Sequence, residues 1–464
     1  DTGERNNESG TSGSETAETE TSGSETAGSE KEEPVPNFTR RGDDWEREAD
    51  FSLWRDSRQI VSQPAGIRIQ GNYAREYAKK RFSIFAREKY SRSRWFDAPI
   101  VEGKKTHSLM TRDSFLNAFS LNLTQGRAAA AQTAEPVIVF LNGELWEDNY
   151  YLLEKYSAAW FAEEYGLNQD TIRMIKTTFW SSVPEEDRQI YEEILHFART
   201  HDLSGEADYA ALGRLVDLQS YIDYWCMNLY LDNEDAGETV NVCLWRVDRA
   251  QNEDEGDGRW RWAMQDLDLT WGRRDRKHHG EQPWEVNTFA LADSRSPGDD
   301  CRAFHEQPLY NALRENPGFR RQFVLTFMDL VNTTFRKETV LEKLVQTESA
   351  KDIYKSFFEN RPDYIVPALA EEFGLTGTPE TIAVRTEDPA AGTVTLGTIT
   401  PDLSGGEWTG QYFTDFPVTL TAEPAAGYVF SGWLVNGKPV TDRVLELSFG
   451  KGGAEIRPVF EKKE

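Results

Sequence analysis

The tightest constraint on this chain is a pair of segments that each join a buried-strand pattern to oxygen ligands. Residues 229–246 read LYLDNEDAGETVNVCLWR and residues 260–275 read WRWAMQDLDLTWGRRD. Val240–Arg246 and Arg259–Met264 are predicted strands, because both are short, apolar and rich in aromatic and β-branched residues. They bracket a polar loop, Asp248–Gly258. Asp235, Asn241, Asp266 and Asp268 stand at the strand edges. All four are hard oxygen ligands with no His or Cys among them, a set that suits Mg²⁺ or Mn²⁺ rather than zinc. Asp266 and Asp268 are two apart, so an extended backbone points both to one side.

The rest of the chain limits what such a site can serve. At 464 residues the sequence predicts two or three domains. No run of eighteen apolar residues occurs, so no membrane-spanning helix is expected. No signal-peptide pattern opens the chain, and its start at Asp1 reads as that of a processed protein. The formal net charge of −27 argues against nucleic acid as the main partner. The charge is uneven. Residues 75–112 hold eleven Lys and Arg, from Arg75 to Arg112, and such a basic zone invites an anionic ligand or an acidic peptide. The three cysteines, Cys226, Cys243 and Cys301, have no metal or redox spacing. Cys226 and Cys243 sit in apolar runs and are expected in the core.

Residues 1–37 contain TSGSETAETETSGSETAGSE and almost no large apolar residue. Such a segment cannot offset its chain entropy and is expected to be a disordered tether. Structure is expected from Phe38. A loose alternation over 67–84 predicts a hairpin around Gly71 and Asn72, and PVIVFL followed by Asn142-Gly143 predicts a second hairpin returning through 150–155. Helices are expected over 157–165, 185–200, 206–233 and within 303–372, with Pro317 and Pro362 at starts or breaks. Residues 374–379, with two glycines and a proline, mark a linker. Beyond it, 380–462 read as strands.

Three segments, in order, resemble one family. Arg68, Gly71 and Asn72 followed by Lys79-Lys80-Arg81-Phe82 resemble the "RGN…KKSY" strand pair of the CotH-type spore-coat kinases. Val137–Glu154, with Asn142-Gly143 and a closing Glu, resembles that family's "NG…G-x-Y…E" hairpin. Asp235 to Asn241, then Asp266, Asp268, Trp271 and Gly272, resemble its catalytic loop and "WDxDxxxG" motif. The resemblance covers about residues 38–372. It departs from the family in three places: the Asp235–Asn241 spacing is one residue longer, Gln265 stands where Trp is usual, and the second hairpin glycine is replaced within Trp146–Asn149.

The resemblance implies an α+β chain. It would hold an atypical two-lobed kinase-like domain over 38–376, strand-rich then helical, followed by a small β-rich domain over 380–462. It implies transfer of the ATP γ-phosphate to Ser or Thr of a protein substrate, with ATP and Mg²⁺ (or Mn²⁺) as cofactors. In this reading Asp235 is the base, and Asn241, Asp266 and Asp268 hold metal. Arg68, Lys79, Lys80 and Glu154 belong to the nucleotide site. Lys80 lies in phase with Phe82 and Ile84, so it is expected on the buried face with Glu154 as partner, and Lys79 ranks second. Two other readings stay open: a non-catalytic surface scaffold that keeps the fold, and another transfer chemistry on ATP.

Tyr428, Phe430, Gly432 and Trp433 resemble the GY-x-F-x-GW signature of bacterial cell-surface repeat modules. That resemblance implies a spacer or wall-associated module, and with the Ser/Thr-rich tail it points to an extracellular or cell-surface bacterial protein. The tail hydroxyls are themselves possible acceptors. His278-His279 has no third ligand at zinc spacing. No GxSxG, HExxH or Walker motif occurs. Asp266 and Asp268 are also too close on one strand for the two carboxylates of a glycosidase.

Overall fold

In the computed structural model the described residues are 36–71, 73–101, 103–179, 183–233, 236–272, 282–292, 307–347 and 352–463. Asp235, His278, His279 and Cys301 lie outside them, as does the Ser/Thr-rich tail.

The first sheet is antiparallel, with strand order β1-β2-β3-β4-β6-β5. Its strands are β1 Arg47–Arg55, β2 Arg58–Gln70, β3 Arg81–Phe85, β4 Ser108–Arg112, β5 Ala134–Leu141 and β6 Glu144–Glu154. A short helix, α1 (Glu88–Ser91), follows β3, and α2 (Phe115–Leu123) follows β4. Ser114 caps α2 by accepting from the Asn117 N–H. The expected 67–84 hairpin is wider than two residues, since β2 and β3 are joined by residues 71–80.

Both faces of this sheet are covered. On one, Val61, Ala65, Ile84, Leu109 and Leu152 form a small core with Phe96 and Ile100. On the other, strand register aligns Arg68 with Ser83, Ser83 with Met110, and Met110 with Leu153. Met110 and Leu153 join the main core of the helical half. Side chains alternate along a strand, so this second face also carries Arg81 and Arg112.

Helix α3 (Ala158–Tyr165) leads into a second sheet of order β7-β8-β9, from β7 (Ile172–Phe179), β8 (Val240–Val247) and β9 (Arg261–Ala263). Between β7 and β8 come α4 (Glu185–Thr200), α5 (Glu206–Leu212) and α6 (Leu218–Leu231). The single helix expected over 206–233 is therefore two. Asp217 starts the second by accepting from the Ser220 N–H at 3.0 Å. Helix α6 is buried from Ser220 to Leu231 and runs through the middle of the core. Cys226 and Cys243 are buried free thiols, as expected of core residues.

Helices α7 (Thr288–Ala292), α8 (Pro308–Leu313), α9 (Pro317–Asn332), α10 (Lys337–Val345) and α11 (Asp352–Phe373) complete the helical part. Pro317 opens α9 as expected, but Pro362 lies inside α11. That helix holds because Phe357, Phe358, Ile365 and Leu369 are buried against the core, each contributing about 1.5–3 kcal/mol. No helix among the described residues is long and apolar enough to cross a membrane.

The C-terminal strands are β10 Pro379–Arg385, β11 Gly392–Leu396, β12 Glu407–Phe413, β13 Val418–Pro424, β14 Tyr428–Val435, β15 Lys438–Val440, β16 Val444–Leu447 and β17 Ala454–Lys462. They form a sheet β12-β10-β17-β14-β15 and a sheet β11-β13-β16. Their buried side chains, Leu396, Trp408 and Tyr412 among them, belong to the same cluster as Phe327 and Leu330 of α9.

Candidate active site

Asn241 lies at the start of β8, which pairs with β9 through Cys243 and Ala263, and Asp266 and Asp268 follow β9. The backbone here is unusual. Four of the nine non-glycine residues with positive φ among the described residues are Asp232 (53°), Asn241 (47°), Asp266 (55°) and Trp271 (60°). Asn and Asp tolerate this region, but a Trp there is an outlier, and such strain persists only where the surroundings impose it. They do so here. The Leu267 N–H donates to Asn117 Oδ1 at 3.0 Å. Trp271 Nε1 donates to Ser120 Oγ at 3.0 Å, and its N–H donates to the Leu231 carbonyl at 2.8 Å. At Gly272 (φ 66°) an added Cβ would lie 2.2 Å from the Pro283 carbonyl oxygen, so only glycine fits.

The loop that leads to Asn241 has its own anchor. Glu238 is buried, and its carboxylate accepts from Tyr221 OH at 2.7 Å, Tyr310 N at 2.8 Å and Leu309 N at 3.2 Å. Burial raises its pKa to about 7, against these hydrogen bonds.

Charge is concentrated where the first sheet meets this hairpin. One Nη of Arg112 on β4 bridges Asp266 Oδ1 and Asp268 Oδ2, the latter at 3.0 Å. Arg81 on β3 contacts Asp268 at 3.3 Å and Asp113 at 2.5 Å. Burial works against the charge on Arg112, but Asp266 and Asp268 outweigh it and hold the guanidinium pKa above its ordinary value. Burial likewise opposes ionisation of Asp268, yet Arg112 and Arg81 keep its pKa below the usual carboxylate value. The buried Asn241 Oδ1 has no hydrogen-bond partner among the described residues.

Of the expected nucleotide residues, Arg68 pairs with Asp43 at 2.6 Å and covers the Phe85 ring. Lys79 contacts Asn149 and Glu147 and lies 4.4 Å from the Tyr150 ring centroid. Lys80 donates to the carbonyls of Arg75 (2.7 Å) and Tyr77 (2.6 Å) and sits over Phe38. Glu154 is buried and accepts from the Thr106 hydroxyl. The expected Lys80–Glu154 pair is not the arrangement observed. Lys80 is in phase with Phe82 and Ile84, but that phase leads to the small outer core, while Arg81 on the opposite face reaches Asp268.

The residues missed in sequence are Arg81, Arg112 and Lys155. Lys155 follows β6 and donates to Ser83 Oγ at 2.9 Å, 5.1 Å from the Phe85 ring centroid. Burial, then the charges of Lys176, Arg68, Arg75 and Arg87, push its ammonium pKa down to about 7. Lys176 on β7 lies over the Tyr156 ring. Lys155 feels the charge of Lys176, and Lys176 feels that of Arg112 and Asp266.

The donors available to a metal are the Asp266 and Asp268 carboxylates and the unpaired amide oxygen of Asn241. Among the described residues no three His, Cys, Asp or Glu side chains group as a metal site. Hard oxygen donors of this kind would suit Mg²⁺, and a metal there would compete with Arg112 for both carboxylates.

Among solved structures, a Helicobacter pylori proinflammatory kinase, CtkA, is similar at 9% identity, covering 60% of this chain and 96% of that one, with a TM-score of 0.28. A search of curated proteins finds no match. The family profile described as "CotH kinase protein" matches residues 67–353, which span β2 to the start of α11 and include every candidate residue above. By that match, over more than half its length, the chain belongs to the CotH kinase family.

Proposed function

We propose that the protein transfers the γ-phosphoryl group of ATP to a Ser or Thr hydroxyl of a protein substrate. The observation that carries the reading is the family match over residues 67–353, which contains Asn241, Asp266 and Asp268 as its oxygen donors. Phosphoryl transfer needs little covalent help from a protein; it needs positioned cations, metal ligands and an oriented acceptor. Mg²⁺, when bound, neutralises charge on the phosphates. Asp266, with Asp268 and Asn241, would hold it. Arg112 holds Asp266 and Asp268 in place, and with Arg81 it keeps the Asp268 carboxylate ionised. Lys155 and Lys176 extend the positive lining toward the remainder of the nucleotide. Asp235, assigned from sequence, accepts the proton of the attacking hydroxyl. The Ser/Thr-rich tail and the Tyr428–Trp433 signature support a secreted or cell-surface location.

The test is incubation with ATP, Mg²⁺ and a Ser/Thr-rich protein acceptor, followed by phosphoamino-acid analysis. Phosphoserine or phosphothreonine is expected, and it should disappear with Asp266→Ala. Phosphate on neither residue type would overturn the assignment. A second reading, a nucleotide-binding scaffold without transfer, is favoured by one observation: both carboxylates are already engaged by Arg112. It predicts a thermal shift with ATP that Mg²⁺ does not increase.

A further inference from the structure

The segment between α2 and β5 links three places that are distant in sequence. At its start, Arg127 Nη2 donates to Asp223 Oδ1 at 2.6 Å and to Thr398 Oγ1 at 2.9 Å, and Nη1 reaches the Thr398 carbonyl at 3.3 Å. Thr398 follows β11, in the C-terminal sheets. It is fixed in turn by Asp329 of α9, which is fully buried. Asp329 Oδ2 accepts from the Thr398 N–H and hydroxyl, each at 2.7 Å, and Oδ1 accepts from Tyr412 OH at 2.7 Å. Gly397 is required at this junction: its φ is 56°, and an added Cβ would lie 2.6 Å from Asp329 Oδ2. Burial raises the Asp329 pKa to about 6 against these donors.

The other end of the segment enters the active site. The Ala128 N–H donates to Asp223 Oδ2 at 2.8 Å. Ala130 then extends the β8–β9 hairpin: its N–H donates to the Trp262 carbonyl at 3.1 Å, and its carbonyl accepts from the Met264 N–H at 2.7 Å. Tyr156 OH donates to the carbonyls of both Ala130 and Met264 at 3.0 Å. Gln132 donates to the Glu154 carbonyl. Residues 127–132 therefore hold the strand end two residues before Asp266, and also the two residues that flank Lys155.

We infer that Arg127 is a positioning residue for the Asp266 loop, and that Thr398 and Tyr412 of the C-terminal sheets hold it in place. This makes the C-terminal sheets part of the catalytic unit rather than a spacer. The physical reason is that a buried guanidinium and two buried carboxylates keep a fixed arrangement only while their hydrogen-bond partners hold them. Among the described residues, five of the eight hydrogen bonds to the side chains of Arg127, Asp223 and Asp329 come from Thr398 and Tyr412. The inference rests on the kinase reading only for its activity readout.

The test uses the full chain with two variants, Arg127→Lys, and Thr398→Val combined with Tyr412→Phe. Two readouts are needed: phosphoryl transfer resolved into kcat and KM for ATP, and amide exchange at Met264 and Leu267. Exchange reports local opening directly. Both variants should lower kcat by about ten- to a hundredfold, the cost of a small misplacement, with KM for ATP within about twofold, and should speed exchange at Met264. A variant with wild-type kcat and wild-type Met264 exchange would overturn the inference, even if its melting temperature fell. If the wild-type chain transfers no phosphate, the kinase reading fails, and the exchange result alone still decides the positioning claim.

Discussion

Replacing Arg112 by Met separates an ion pair that serves only stability from one that reserves a metal site. In the wild type the guanidinium neutralises Asp266 and Asp268, whose side chains are 27% and 19% exposed. Removing one partner of a buried pair costs about 3–5 kcal/mol. Partial exposure and the remaining Arg81 contact favour the low end, about 3 kcal/mol. At about 2–4 °C per kcal/mol for a cooperative unit of 150–250 residues, the melting temperature should fall by about 6–12 °C without metal. Mg²⁺ should then stabilise the variant more than the wild type, because Arg112 no longer competes for the carboxylates. Saturation at a hundred times Kd restores about 2.7 kcal/mol. The sign with pH follows from Asp268, whose pKa is lowered in the folded state. Its stabilisation is present above the ordinary carboxylate pKa and is lost as pH falls through the folded value. Arg112→Met should shrink that acid-side loss. Scanning calorimetry with and without Mg²⁺ reads all of this. A loss below about 1 kcal/mol, or an equal Mg²⁺ gain in both proteins, would refute the reasoning.

Three further predictions concern the surrounding groups. Lys155, with its pKa at about 7, should take up about half a proton when an anionic nucleotide binds at pH 7; titration calorimetry in buffers of different ionisation enthalpy should show this, and Lys155→Met should abolish it. Glu238 has its pKa raised to about 7, so its stabilising contribution is complete below the unfolded carboxylate value and is lost as pH rises through 7. Glu238→Gln should flatten that window and cost about 1–3 kcal/mol, because one N–H at the start of α8 loses its acceptor; urea titrations at pH 5 and 8 would show it. Asp235→Asn should lower single-turnover transfer by about 10²–10⁴-fold with Mg·ATP affinity near wild type, and the same loss from Asp232→Asn instead would move the base to that residue.

The β8–β9 hairpin was legible in sequence because both strands are short, apolar runs, and the second ends just before Asp266 and Asp268. The first sheet was less legible. Strand β4 is five buried residues, SLMTR, and α2 is buried on nearly every side, so neither shows the periodicity that marks a half-exposed element. Arg112 was therefore not singled out. Lys80 was assigned by a correct parity on a sheet with two covered faces, and alternation alone cannot say which face meets the active site. The break between α5 and α6 was written in the sequence as Gly213 and Asp217, but the apolar spacing across it masked the cap. The role of residues 127–132 had no local signal, since every partner comes from another part of the chain.

The most direct test of the central claim is intact-mass analysis of the protein and a Ser/Thr-rich acceptor after incubation with ATP and Mg²⁺. Wild-type protein should add whole phosphoryl increments to the acceptor, and Asp266→Ala should add none. An adenylyl increment, no increment from the wild type, or undiminished phosphorylation by Asp266→Ala would contradict a phosphotransfer site built on the β8–β9 hairpin.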